Sequence, residues 1–234
     1  RINSPHAKTG RETEFLIHAH EHNKSMPQNL WIIPGDPSLE LQAQVINQIS
    51  AQTLPENAWK NVHEWLLDLI QACSSKLGGD VAVFIDCNPS FSSYTEISMA
   101  AAERIIVPCS SDGSSARAID NIGALLYGIG ERAKIKTSFS SRMRQDFKMP
   151  LPLIHSVLLN RSTQYNAKAS KAFSAMFDEI KKRTEKIKSA SPQYFTGQSV
   201  PFAEIPDNHS VAIVCSHLGK PLYAIKPGKY QVHD

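Results

Sequence analysis

The sequence predicts an α/β fold with a mostly parallel sheet flanked by helices. Three observations predict it: short runs apolar on both faces, amphipathic helical runs, and the alternation of the two along the chain. Strands apolar on both faces belong to parallel sheets covered by helices. Their alternation with helices means βαβ units with right-handed crossovers. At 234 residues and 41% hydrophobic, the chain is long enough to bury a substantial core.

In chain order, residues 1–28 are polar with little periodicity and read as a peripheral or linker segment, leaving 29–234 as the domain. "NLWIIPGDPSLE" predicts a short strand, Leu30 to Ile33, broken by Pro34-Gly35 before a helix that starts near Ser38. "ENAWKNVHEWLLDLIQAC" sets Trp59, Val62, Leu66, Leu69, Ile70 and Cys73 on one helical face, with Trp59 in the core and Trp65 partly exposed. "DVAVFIDCNPSFSS" then reads as a fully buried strand, Val81 to Ile85, that ends in Asp86. "SYTEISMAAAE" predicts a helix, "RIIVP" a strand and "SSARAIDNIGALLYGIG" a helix. "LPLIHSVLLNR" predicts another strand, and Phe173, Met176, Phe177 and Ile180 mark a long helix after it. "VPFAEIPDN" closes the series as strand and loop, with a last helix stopped by Gly219 and Pro221.

The composition excludes some classes. No run approaches the roughly 20 apolar residues of a membrane helix, and no secretory leader is recognisable, so a cytoplasmic protein is expected. Cys73, Cys87, Cys109 and Cys215 lack CxxC spacing and read as small buried thiols. Between Glu131 and Lys188 fourteen Lys/Arg face five Asp/Glu, a surplus of nine on a chain of net charge +3. Such a basic block suits an anionic partner or a solvated face. "HAHEH" sets His18 and His22 one helical turn apart, but no Cys or carboxylate pattern completes a zinc site.

Asp86 is the first candidate for chemistry, because ligands of open parallel sheets bind beyond the carboxyl ends of the strands. An Asp there either holds the water shell of magnesium, a hard cation that takes oxygen ligands, or caps the following turn. The stretch from Val81 to Ile122 resembles the central segment of the ParA/MinD family of ATPases, with its strand, Asp, nearby Pro, Ala-rich helix and strand ending in Pro. "NLWIIPGDPSLE", "VLLNR" and "IPDN", followed by "VAIVCSHLGKPL", resemble further family segments in the family's order, so the likeness runs from Asn29 to Leu222.

The resemblance implies a P-loop NTPase-like fold and an ATP-dependent partition ATPase. Asp86 would be its Walker B carboxylate, catalytic through a water-held magnesium, and Pro89 would lie in the switch after it. Asn160 would read the adenine edge, for which its amide has a donor and an acceptor, and Pro206 and Asp207 would wrap the base. It also implies an ATP-bound homodimer, a ParB-like adaptor protein and non-specific DNA binding. Candidate phosphate contacts are Arg142, Arg144, Lys181, Lys182, Arg183 and Lys186. A membrane-bound MinD-like reading needs a C-terminal amphipathic helix, where Pro227 and Gly228 stand. The family's glycine-rich phosphate loop (deviant Walker A) has no counterpart in the sequence. The chain is therefore expected to be the C-terminal two-thirds of such a domain; the alternative is a non-catalytic homologue that binds DNA or protein.

Overall fold

The computed structural model describes residues 10–52, 56–87, 90–110, 113–129, 138–162, 164–165, 168–169 and 171–231. Two short strands, β1 (Ile17–His18) and β2 (Trp31–Ile32), pair antiparallel around the one-turn helix α1 (Ala19–His22). The helices α2 (Ser38–Ser50), α3 (Ala58–His63), α4 (Trp65–Leu77) and α5 (Ser93–Ala101) follow. After them come β3 (Arg104–Cys109), α6 (Gly113–Tyr127), α7 (Ser138–Ser141), β4 (Leu153–Ser162) and the two-residue strands β5 (Gln164–Tyr165) and β6 (Lys168–Ala169). The chain ends through α8 (Lys171–Ala190), β7 (Phe202–Pro206) and α9 (His209–Leu218).

The central sheet is parallel, in the order β3-β4-β7. Its pairings, Cys109 with Leu159 and Ser162 with Pro206, bring the carboxyl ends of all three strands to one edge. Val107, Val157 and Leu159 are buried, together with Ile119, Leu126 and Tyr127 of α6 and Phe177 and Ile180 of α8. Helix α8 buries Phe177, Ile180, Thr184 and Lys188, the spacing of a single helical stripe. The two polar members are satisfied: the Thr184 hydroxyl donates to Ile180 O at 2.9 Å, and Lys188 Nζ donates to Gly197 O at 2.8 Å. A second cluster joins Ile46 and Ile49 of α2 to Val62 of α3 and Ile97 of α5.

The structure corrects the sequence reading in three places. Residues 81–85 form no strand: Val81, Val83 and Phe84 are 39%, 47% and 86% exposed, and Asp86 follows them in irregular backbone. Among the described residues they have no ladder partner. Without one, an apolar run can neither pair its N–H and C=O groups nor bury its side chains. Secondly, the helix expected to run from Glu56 to Cys73 is two helices that meet at Glu64; α3 packs on α2, while α4 packs on the 3₁₀ turn Glu12–Phe15. Thirdly, Cys87 is exposed rather than buried, because it lies in that same irregular stretch.

Residues 30–33 also stand outside the central sheet, as β2 pairs only with β1 among the described residues. The N-terminal segment is tied to the far end of the chain, since Asn23 Nδ2 donates to Gly219 O and Tyr223 OH to Ser25 O. No described helix is long and apolar enough to cross a membrane.

Candidate functional site at the carboxyl edge of the sheet

Three loops leave the carboxyl edge of the sheet. The first follows β3, where Ser110 N donates to the Ser115 hydroxyl at 2.9 Å, fastening the strand end to the first turn of α6. The second is the end of β4, which carries the half-buried Asn160 just past Leu159, the partner of Cys109. The third follows β7, where Pro206 is opposite Ser162 and Asp207 opens the turn into α9. Asp207 Oδ1 accepts from His209 N at 3.1 Å, so the carboxylate organises the helix entry.

Parallel pairing therefore brings Asn160, Pro206 and Asp207 to one edge, where open α/β sheets bind ligands. A side chain with both donor and acceptor, a rigid proline and a carboxylate can recognise a flat heterocycle by its hydrogen-bonding edge. Asp86 is not joined to these residues by any hydrogen bond or ion pair among the described residues. It is exposed in irregular backbone, so the strand that was to aim it is absent. Pro89 lies outside the described residues.

The six basic candidates divide by environment. Arg142 sits 5.7 Å from the Trp59 ring centroid and donates to Ser50 O at 3.5 Å, and Arg144 donates to the Tyr194 hydroxyl. Lys181 lies 4.4 Å over the Phe177 ring, and Arg183 joins Glu179 of its own helix to Asp120 of α6. Hydrogen bonds donated to the Glu179 and Asp120 carboxylates raise the Arg183 pKa above its ordinary value. Lys182 and Lys186 remain exposed, one helical turn apart on α8. Four of the six thus have structural partners.

The histidine run behaves as a local brace. His18 Nε2 donates to Gln28 O at 2.7 Å and Nδ1 faces Glu21 Oε1 at 3.2 Å; the carbonyl and then the carboxylate raise its pKa above the usual histidine value. His20 Nδ1 donates to Met26 O at 2.6 Å, and no three His, Cys, Asp or Glu gather into a metal site among the described residues. The sequence reading missed Ser115, although a Ser-rich stretch directly after an apolar strand is the usual signal of such a fastening.

An α/β unit with a parallel sheet and a polar carboxyl edge defines a broad class, and solved structures narrow it. The fold matches McdA from Cyanothece in its apo form, with a TM-score of 0.54, 13% identity, 84% of this chain and 62% of that chain covered. It also matches a complex of an Asp-to-Ala variant of McdA with ATP, with a TM-score of 0.51, 12% identity, 84% of this chain and 60% of that chain covered. The chain thus spans about three-fifths of the McdA chains that it matches. No protein-family model matches the sequence, and no curated protein does at a significant level. The likeness shows that the chain shares its fold with McdA.

Proposed function

We propose that the chain belongs to an ATP-dependent ParA-type ATPase and carries that protein's base-recognition edge and its magnesium carboxylate. One observation carries this reading: the register that brings Asn160 and the Pro206–Asp207 turn to the same carboxyl edge, in a fold shared with a protein solved with ATP. Asn160 holds the adenine edge, Pro206 and Asp207 close over the base, and Asp86 holds magnesium through water, with Pro89 in the switch after it. When bound, magnesium neutralises charge on the transferring phosphoryl group. ATP acts as an assembly switch for a homodimer that binds DNA non-specifically. Lys182 and Lys186 are the exposed cations best placed for phosphates, and a ParB-like adaptor stimulates turnover.

The test is magnesium-dependent ATP binding and turnover by the protein. Asn160→Ala is expected to weaken ATP binding about tenfold, the value of one or two hydrogen bonds, with little change in the binding of triphosphate alone. Asp86→Ala is expected to abolish hydrolysis while nucleotide still binds; unchanged turnover sinks the assignment. The second reading, a non-catalytic DNA- or protein-binding relative, is favoured by the sequence's lack of a glycine-rich phosphate loop. It is the outcome if no magnesium-dependent affinity for ATP is found.

A further inference from the structure

His63 is a buried titratable residue that the proposed site does not use. Its side chain is 2% exposed, and its ring stacks on Trp59 with centroids 3.7 Å apart and lies tilted against Phe139 at 6.0 Å. Nδ1 lies 2.8 Å from Trp59 O, one turn back in α3, and Nε2 lies 3.3 Å from Glu96 Oε2 in the first turn of α5. Both partners are acceptors. A backbone carbonyl cannot donate, so Nδ1 must carry a proton. The contact with Glu96 then needs one more proton, on Nε2 or on the carboxyl. Without it, two lone pairs face each other.

We infer that His63 and Glu96 form a proton-carrying tie that fixes α5 against α3, with His63 a positioning residue acting through Glu96. Helix α5 starts seven residues after Asp86, so the tie anchors the downstream end of the segment that carries that carboxylate. Glu96 is 30% exposed, which gives the proton a route to solvent. The other charged groups nearby have their own partners: Lys60 and Glu64 of α3 pair with each other at 3.7 Å, and Arg142 lies over Trp59. Helix α4 brings Asp68 and Lys76, and residues 42–50 of α2 carry no charge. Two further ties on α5 are uncharged, from the Ser93 hydroxyl to Asn47 Oδ1 and from the Tyr94 hydroxyl to Leu39 O, both of α2.

This inference rests on the proposed function only for its consequence at Asp86, and its test needs no nucleotide. Amide hydrogen exchange of α5, corrected for intrinsic rate, is measured at one pH in the 234-residue chain and in Glu96→Gln, Glu96→Leu and His63→Phe. Glu96→Gln can still share a proton with the ring, so its α5 is expected to stay protected. Glu96→Leu and His63→Phe remove the proton-mediated contact and are expected to raise the opening equilibrium of α5 about tenfold, the loss of one charge-assisted hydrogen bond. If His63→Phe does not fold, the native chain, Glu96→Gln and Glu96→Leu decide. Unchanged protection of α5 in Glu96→Leu overturns the inference, and so does a ¹⁵N spectrum showing Nδ1 unprotonated. ATPase results bear on Asp86 and leave this outcome untouched.

Discussion

Two apolar runs of similar composition meet opposite fates in this molecule. In β4, Ile154, Val157 and Leu159 are buried between β3 and β7 and under α6 and α8. In residues 81–85, Val81, Val83 and Phe84 face solvent and have no ladder partner among the described residues. Residues 81–85 are the more apolar of the two runs, so what decides between them is the neighbour on each flank. A strand is stabilised by ladder bonds and cross-strand packing that its own residues cannot supply. Strand β3 marks the boundary, paired with β4 on one flank and with nothing described on the other, with Ile106 45% exposed and Pro108 placed as edge strands allow.

Mutations at the two runs should separate them widely. Val157→Asp, which places a charge at a fully buried position between two strands, is expected to unfold the chain outright, as judged by loss of cooperative thermal unfolding. Ile180→Ala, under the same sheet, should cost about 2–5 kcal/mol in denaturant titration. Asp120→Ala removes one partner of an exposed pair with Arg183 and should cost under about 1 kcal/mol. Phe84→Asp should change stability by no more than about 0.5 kcal/mol, as expected at an 86% exposed side chain. A large loss there would mean that the run is packed in solution, and the contrast would collapse.

The smallest effect is a titration outside both runs. Because His18 has a raised pKa when folded, its contribution to the β1–β2 pair is fully present below the unfolded value and is lost as pH rises through the folded one. The His18 ring stacks on Trp31 at 4.5 Å, so the emission difference between the native chain and Trp31→Phe should titrate with a midpoint above the ordinary histidine value. A midpoint at that ordinary value removes the brace described for this segment.

The legible parts of the fold were those whose partners follow within the chain's own pattern. Strands β3 and β4 and helices α6 and α8 match their apolar spacing because each has an apolar face in the shared core, which β7 joins through Phe202. Residues 81–85 misled, since an apolar run shows what could be buried and not whether anything lies beside it. The break at Glu64 was hidden because the apolar spacing continues through it from Trp59 to Cys73. At the site, Asn160 and the Pro206–Asp207 turn could be placed as strand-end residues, whereas their juxtaposition needed the register. The His63–Glu96 contact spans 33 positions and leaves no periodic trace.

The hydrogen bonds from Asn23 to Gly219 and from Tyr223 to Ser25 join positions nearly two hundred residues apart in the chain. Gly219 stops α9 with a left-handed backbone, φ 58°, and the same residue offers its carbonyl to Asn23. Residues 23–25 and 219–223 are therefore clasped, and a cut between Gly78 and Gly79, where an added methyl would meet open space, leaves every contact of the central sheet in place. Cutting the clasp instead, by deleting residues past Leu218, removes both bonds while the turn Glu12–Phe15 stays packed on α4 and that sheet stays whole.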